Sequence, residues 1–269
     1  MDWDEIVQKS KKMGVSSILI LKEEMQKATL ASLSRMNAFN HIVLQGGTAL
    51  RIFYNSPRFS EDLDFVLKDG GTFELASKSG EIERYLSSEF YYLQGIRVNI
   101  QKNTKDIQRM VIRTIPEISS QKLRINIELF SVPSYHNTPK ILAYPPLNPV
   151  IRVEERGEIL ADKTIAIAFR KYLKGRDIWD IFYLTGELNV STSRELLEKK
   201  AKDYGVRDFR ERIEKSRGKL LKHGVEALDR EMKRFLPTSA YDQLKNSFEE
   251  IVKSVALEIL RYAGKEGLR

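Results

Sequence analysis

With 269 residues, of which 42% are apolar, the chain is long enough for one large domain or two ordinary ones with a sizeable core. It has no cysteine and only three histidines, which excludes disulfides, thiolate nucleophiles and cysteine-ligated zinc, and argues against a histidine-rich metal site. A bound metal is therefore expected to have oxygen ligands. The net charge of +8 favours polyanionic partners, although surface ion-pair networks of the kind seen in heat-adapted proteins would give a similar composition.

Hydropathy gives no sign of membrane attachment. No stretch approaches the roughly 18 consecutive apolar residues of a membrane span. The acidic start, "MDWDEIVQKS", also lacks the pattern of a signal peptide. We therefore expect a globular protein located in the cytoplasm, without a membrane partner.

The first forty residues have a helical pattern. Apolar residues recur at intervals of three and four in "WDEIVQKSKKMG" and again in "SSILILKEEMQKATLASLSRM". Ser16 or Ser17 is the expected N-cap of the second segment. These residues predict two amphipathic helices.

A strand, a glycine turn and a short helix are expected next. The apolar run "HIVLQ" stops at Gly46 and Gly47, and "TALRIFYN" predicts a helix of about two turns starting at Thr48. The following "EDLDFVL" alternates acidic and apolar residues, as in a strand with one wet face. Asp62 and Asp64 would then share that face, because strand side chains repeat every two residues.

The remainder of the chain predicts a change of class part-way along. A helix over "TFELASKSGEIERYLSSEF" precedes three strand-like runs, and the prolines between residues 131 and 150 predict a surface linker. All later segments have helical patterns, and the last three predicted helices are "VRDFRERIEKSRGKLL", "GVEALDREMKRFL" and "YDQLKNSFEEIVKSVALEILRYAG". The expected fold is α+β: a mixed-sheet domain over residues 1–145, with N-terminal helices in residues 1–40, and an all-helical domain over residues 150–269.

Asp62 and Asp64 are the first candidate site residues. Two neighbouring carboxylates repel each other unless a cation lies between them, and they suit Mg²⁺ when substrate phosphates supply the other oxygens. Alternatively, both are solvated residues of an edge strand. Glu128, on the polar face of the later strand "KLRINIELF", is the candidate third carboxylate, or else an exposed glutamate on a half-wet strand.

The glycine turn is the second candidate feature. Gly46 and Gly47 allow the backbone to approach a ligand closely, and a helix that begins at Thr48 offers unpaired N–H groups to a phosphate. Thr48 can add its hydroxyl, or it can serve only as a helix cap. Together with Asp62 and Asp64, the turn suits transfer of a nucleotidyl group.

Cations and carboxylates also cluster in the helical part. Lys163 and Arg170 are seven residues apart and would face the same way on one helix, while Asp177 and Asp180 follow on the next. The bland alternatives are that "KYLKGRD" is a solvated helix end, where cations suit the helix dipole, and that Asp177 is an N-cap.

These motifs resemble a known group of enzymes. A hydrophobic strand, Gly-Gly-Thr, a helix and then Ser-x-Asp-x-Asp is similar to the polymerase-β nucleotidyltransferase superfamily. The stretch "GGTALRIFYNSPRFSEDLDF" resembles its AbiEii/AbiGii toxin branch, which includes the MenT toxins, as does "ADKTIAIAFRKYLKGRDIWDIFYL". The chain departs from the shorter Gly-Ser form of the motif, because it has Thr48 and then thirteen residues before Asp62.

The resemblance implies a role for each matching residue. Gly47 and Thr48, with Gly46, would hold the triphosphate of an NTP, and Asp62 and Asp64 would bind Mg²⁺, with Mn²⁺ as an alternative. Further site residues implied by the resemblance are Ser60 and Arg58 near the phosphates, Lys163 in contact with them, and Asp177 and Asp180 in the helical domain.

The expected function follows from these roles. The protein would be a two-metal nucleotidyltransferase that moves a nucleoside monophosphate from an NTP to an acceptor hydroxyl. The resemblance implies a tRNA 3′ end as the acceptor and a toxin that is paired with an antitoxin protein. Two rivals remain open: transfer to a protein or small molecule, and a non-catalytic module that binds nucleotide or antitoxin.

Overall fold

The computed structural model describes residues 2–115 and 122–262. The chain forms two compact units, which divide between Glu154 and Glu155. Residues 150–154, assigned from sequence to the start of the helical domain, thus lie in the first unit. The α+β class, with a mixed sheet followed by an all-helical region, is confirmed.

Four α-helices lie in the described part of the first unit. The first begins with a capping box, because the Asp2 carboxylate accepts from the Glu5 backbone N–H at 2.9 Å and the Glu5 carboxylate accepts from Asp2 at 2.8 Å. Ser16 is the N-cap of the second, as predicted. The helices are α1 (Trp3–Met13), α2 (Ser17–Arg35), α3 (Gly46–Phe53) and α4 (Ser79–Glu89).

One seven-stranded sheet completes this unit, in the order β3-β4-β5-β2-β1-β7-β6. The pairs β2–β5 and β1–β7 are parallel, and the other pairs are antiparallel. Strand β5 buries Ile125, Ile127 and Leu129 and turns Asn126 and Glu128 to the other face, as its alternation predicted. The strands are β1 (Ile42–Gln45), β2 (Leu63–Lys68), β3 (Ile96–Asn103), β4 (Ile107–Thr114), β5 (Arg124–Ser134), β6 (Asn137–Ile141) and β7 (Val150–Glu154).

The predicted linker over residues 131–150 is wrong. The end of β5 occupies its start, and β6 pairs antiparallel with β7 from Asn137↔Glu154 to Ile141↔Val150. Pro139 is compatible with β6 because that strand lies at the edge of the sheet, where a missing N–H breaks no ladder. The proline-rich segment therefore contains an edge strand, β6, in place of the predicted linker.

The second unit is helical throughout its described part. Two helices predicted from sequence, the second beginning at Gly224, are one continuous helix, α8 (Phe209–Phe235), in which a β-carbon at Gly224 would lie 2.8 Å from Val252 Cγ1. Gly224 thus allows close packing against Val252 and does not mark a helix boundary. The elements are α5 (Arg156–Phe169), α6 (Gly175–Phe182), a π-helical turn (Tyr183–Glu187), α7 (Arg194–Asp203), α8 (Phe209–Phe235), α9 (Thr238–Leu244) and α10 (Phe248–Leu260).

Two boundary findings complete the description. Residues 263 and 264, at the end of the last predicted helix, lie outside the described residues. Within residues 2–115 and 122–262, no helix combines the length and the apolar character that crossing a membrane requires.

Candidate active site

The glycine turn joins β1 to α3 without a connecting loop. Helix α3 begins at Gly46, two residues before the predicted start at Thr48. Gly46 has a left-handed conformation, with φ of +73°, which glycine adopts without strain and which allows the chain to turn directly from β1 into α3. A β-carbon there would lie 3.3 Å from Asp64 Oδ2. Gly46 therefore allows the turn to approach a candidate metal-binding carboxylate.

Gly47 is constrained from the other side. A β-carbon at Gly47 would overlap the Arg58 guanidinium and would lie 3.0 Å from Ser60 Oγ. Arg58 is only 1% exposed, and its Nη1 donates to the Phe59 carbonyl at 2.8 Å. The structure thus places Arg58 and Ser60 directly beside the turn.

Thr48 is not the cap of α3, because Gln45 occupies the N-cap position. The Thr48 hydroxyl instead donates to the Asp62 carbonyl. Gln26 of α2, fully buried, donates from Nε2 to the carbonyls of Ser60 at 3.2 Å and Asp62 at 3.4 Å. These bonds fix the backbone of Asp62 against the turn, across the thirteen intervening residues.

Asp64 lies on β2, the central strand of the sheet, and Asp62 immediately precedes that strand. The edge-strand alternative is wrong, since β2 is paired with β1 on one side and with β5 on the other. Asp64 is in register with Gln45, the residue before the glycine turn, and with Glu128 on β5. Asp62 Oδ1 accepts from both the backbone N of Asn126, at 3.2 Å, and its Nδ2, at 2.8 Å.

Glu128 is level with Asp64 and forms an ion pair. Its Oε1 lies 2.7 Å from Arg109 Nε, although the angle is not that of a hydrogen bond. In the described part of the chain, no three acidic or histidine side chains converge closely enough to hold a metal by themselves. Asp62 and Asp64 nevertheless fit Mg²⁺, which is commonly held by one or two carboxylates together with substrate phosphates.

A second cluster of charged residues lies within the helical unit. Lys163 Nζ is 3.2 Å from Asp177 Oδ1 and 2.8 Å from Asp180 Oδ2, and Arg170 also bonds Asp177. Both aspartates are buried. The N-cap alternative for Asp177 is wrong, since Lys174 holds that position in α6.

Arg170 reaches this cluster by an unexpected route. Helix α5 ends at Phe169, so Lys163 and Arg170 are not two turns apart on one helix, and "KYLKGRD" is not a helix end. Burial lowers the pKa of Lys174, and the charges of Arg170 and Arg176 lower it further, while Asp177 and Glu231 oppose them. The connection between α5 and α6 therefore brings the side chains of Arg170, Lys174 and Arg176 close enough for their charges to interact.

Gln26 and Asn126 are the residues that sequence reasoning missed. Neither carries charge, and each acts through a contact with residues distant in the chain. No feature of the sequence indicated Gln26, because Glu23, Glu24 and Lys27 lie around it in a charged stretch of α2. For Asn126 the sign was its position two residues before Glu128 on the polar face of β5.

The model of the AbiEii family, described as nucleotidyl transferase toxins of type IV toxin–antitoxin systems, matches residues 28–254. The chain belongs to this family. The resemblance seen in its glycine and aspartate motifs is thereby confirmed, and the protein is an AbiEii-type nucleotidyltransferase toxin. No curated protein matches its sequence.

Solved structures show the same fold at low sequence identity. JHP933 from Helicobacter pylori is 18% identical with a TM-score of 0.52, and the match covers 92% of this chain and 95% of that one. MenT4, a nucleotidyltransferase toxin of Mycobacterium tuberculosis H37Rv, is 16% identical with a TM-score of 0.53 over 98% of this chain and 93% of that one. Both likenesses show that this chain shares the fold of those two proteins.

Proposed function

We propose that this toxin transfers a nucleoside monophosphate from an NTP to the 3′ hydroxyl of a tRNA. The acceptor oxygen would form a bond to the α-phosphorus, the bond from that phosphorus to the β-phosphate oxygen would break, and pyrophosphate would leave. The observation that carries the proposal is the register of Gln45 with Asp64, because it brings the glycine turn beside two carboxylates. Family membership supports the same reaction class.

The turn residues bind the donor in this proposal. Backbone N–H groups of Gly47 and Thr48, at the start of α3, face the triphosphate, which the positive end of the helix favours. Gly46 keeps the turn free of a side chain beside Asp64. Ser60 and Arg58, packed beside Gly47, are the proposed polar neighbours of the phosphates.

Carboxylates and one lysine have the remaining roles. Asp62 and Asp64 would hold Mg²⁺ or Mn²⁺, and a bound metal would neutralise phosphate charge and favour the deprotonated acceptor oxygen. Glu128, level with Asp64, would orient the acceptor hydroxyl. Lys163 would contact the phosphates, with Asp177 and Asp180 keeping its ammonium in position.

The proposal also defines surroundings and partners. An NTP and a tRNA are both cytoplasmic, so we propose the cytoplasm as the place of action. Type IV family membership supports an antitoxin as the partner that counteracts the toxin.

The test is incubation with Mg²⁺, each of the four α-labelled NTPs and total deacylated tRNA. Wild-type protein and Asp106→Ala, which alters an exposed aspartate in the turn between β3 and β4, should label tRNA. Asp62→Ala and Asp64→Ala should not. Label on protein or a small molecule would favour the rival acceptors, and tight NTP binding without any transfer would favour a binding module; either result would contradict the tRNA proposal.

A further inference from the structure

Three exposed arginines stand in register on adjacent strands. Arg97 of β3 pairs with Arg113 of β4, and Arg113 pairs with Arg124 of β5. Strand side chains alternate between faces, so this arginine row (Arg97, Arg113 and Arg124) shares one face of the sheet with Asn126 and Glu128. With strands about 4.8 Å apart, the row spans roughly 10 Å.

Such a row is unfavourable by itself. Like charges directly opposite each other on neighbouring strands repel. Arg97 is partly compensated by Glu83, with 3.1 Å between Nη1 and Oε1. Arg113, between the other two, forms no ion pair with any carboxylate among residues 2–115 and 122–262. An anionic ligand would remove this repulsion.

The position of the row identifies which anion it suits. In the strand order β3-β4-β5-β2-β1, the glycine turn follows β1, the candidate carboxylates lie at the start of β2 and on β5, and the arginines extend outward from β5. The carboxylates therefore separate the row from the turn that is proposed to hold the NTP. We propose that the arginine row binds the phosphate backbone of the acceptor RNA near its unpaired 3′ end.

The row is also connected to the carboxylates. Arg124 Nη2 donates to Asn126 Oδ1 at 3.3 Å, and Asn126 Nδ2 donates to Asp62 Oδ1 at 2.8 Å. Arg124 lies two residues from Asn126 and four from Glu128, or about 7 and 13 Å along the strand. A backbone phosphate on Arg124 would thus leave room for one or two terminal nucleotides to reach the carboxylates.

The inference rests on the proposed function and can be tested apart from it. Binding of a 5′-fluorescein single-stranded oligoribonucleotide ending in CCA would be followed by anisotropy without NTP, so that no transfer occurs. Arg113→Gln should weaken binding roughly tenfold, and the triple variant Arg97→Gln/Arg113→Gln/Arg124→Gln should lower the slope of log affinity against log salt by about 2. Arg230→Gln, an exposed arginine of α8 whose Nη1 is 3.7 Å from Glu226, is the matched control and should bind like wild type.

Unchanged RNA affinity and salt slope in the triple variant would overturn the inference. So would an equal loss of NTP affinity, because the row would then belong to the triphosphate. Thermal melting checks folding, and Arg113→Gln alone suffices if the triple variant melts early. If the oligonucleotide binds through the row while tRNA stays unlabelled, the transfer proposal fails and this inference stands. If the triple variant labels tRNA like wild type, the inference fails and the transfer proposal stands.

Discussion

Asn126 connects an exposed cation to a buried part of the candidate active site. Its backbone N–H and side-chain amide both donate to Asp62 Oδ1, while its amide oxygen accepts from Arg124. This arrangement leaves Asp62 Oδ2 as the oxygen available to a metal. Groups that orient a ligand in this way commonly change metal affinity or activity by about 10- to 100-fold when removed.

We therefore expect Asn126→Ala to raise the Mg²⁺ concentration needed for half-maximal transfer by about 10-fold or more. The KM for NTP at saturating Mg²⁺ should change little, because the glycine turn is untouched. Asn126→Asp is the informative comparison, since its side chain can still accept from Arg124 but cannot donate to Asp62, while the backbone N–H keeps its bond to Asp62. A normal Mg²⁺ requirement in both variants would show that Asn126 does not position Asp62.

At the residue scale, the sequence indicated the charged candidates of the site but not the uncharged residues that contact them. Asp62, Asp64 and Glu128 could be selected from strand alternation alone, because the period of two places acidic residues on one face. Their partners could not, since Gln26 and Asn126 reach Asp62 only through helix packing and the parallel pairing of β2 with β5. No local pattern encodes a register between segments about 60 residues apart.

At the scale of elements, two glycines separate the effect of close helix packing on stability from the effect of helix propensity. A β-carbon at Gly175, the first residue of α6, would overlap the Ala227 carbonyl and lie 2.8 Å from Leu228 Cα, whereas one at Gly218 of α8 would meet nothing within 4 Å. Gly175→Ala should lower the free energy of unfolding by at least about 2 kcal/mol. Gly218→Ala should raise it by about 0.5–1 kcal/mol, through helix propensity.

Urea unfolding of the two variants beside wild type measures both effects. Equal stability of Gly175→Ala and wild type would mean that α6 and α8 are not in close contact at this point. A loss of stability in Gly218→Ala would contradict the open surroundings of that glycine.

Element boundaries were predictable where a local cap fixes them and unpredictable where tertiary contacts do. Ser16 caps α2 through its own side chain, at 3.3 Å from the Ile18 backbone N, and was one of the two N-cap candidates, with Ser17, named from sequence. Gly224 was predicted to begin a new helix but lies inside α8, where its missing side chain makes room for Val252. The prolines between residues 131 and 150 predicted a linker because sequence alone does not show that β6 is an edge strand, where proline is tolerated.

At the scale of the whole molecule, membership of a toxin family predicts an effect on cells. Induced expression of the wild-type chain should stop the growth of a bacterial host, and Asp62→Ala should not, because it removes a proposed metal ligand without altering the charge of the arginine row. Growth curves with matched protein levels measure this. Arrest by Asp62→Ala equal to that by wild type would separate toxicity from nucleotidyl transfer, and Asp106→Ala should arrest growth as wild type does.

The parallel pairing of β1 with β7 has a consequence for how the toxin is made. Leu44 and Val153 are strand partners although more than a hundred residues separate them. Asp64 likewise pairs with Glu128, which is synthesised much later. Contacts so distant in sequence form slowly, because a long loop has to close first. On the ribosome, the glycine turn and the aspartates therefore emerge early, yet β1 stays an open edge until residue 153 has been synthesised. A nascent toxin thus completes its sheet, and with it the setting of its proposed chemistry, only after β7 has been translated.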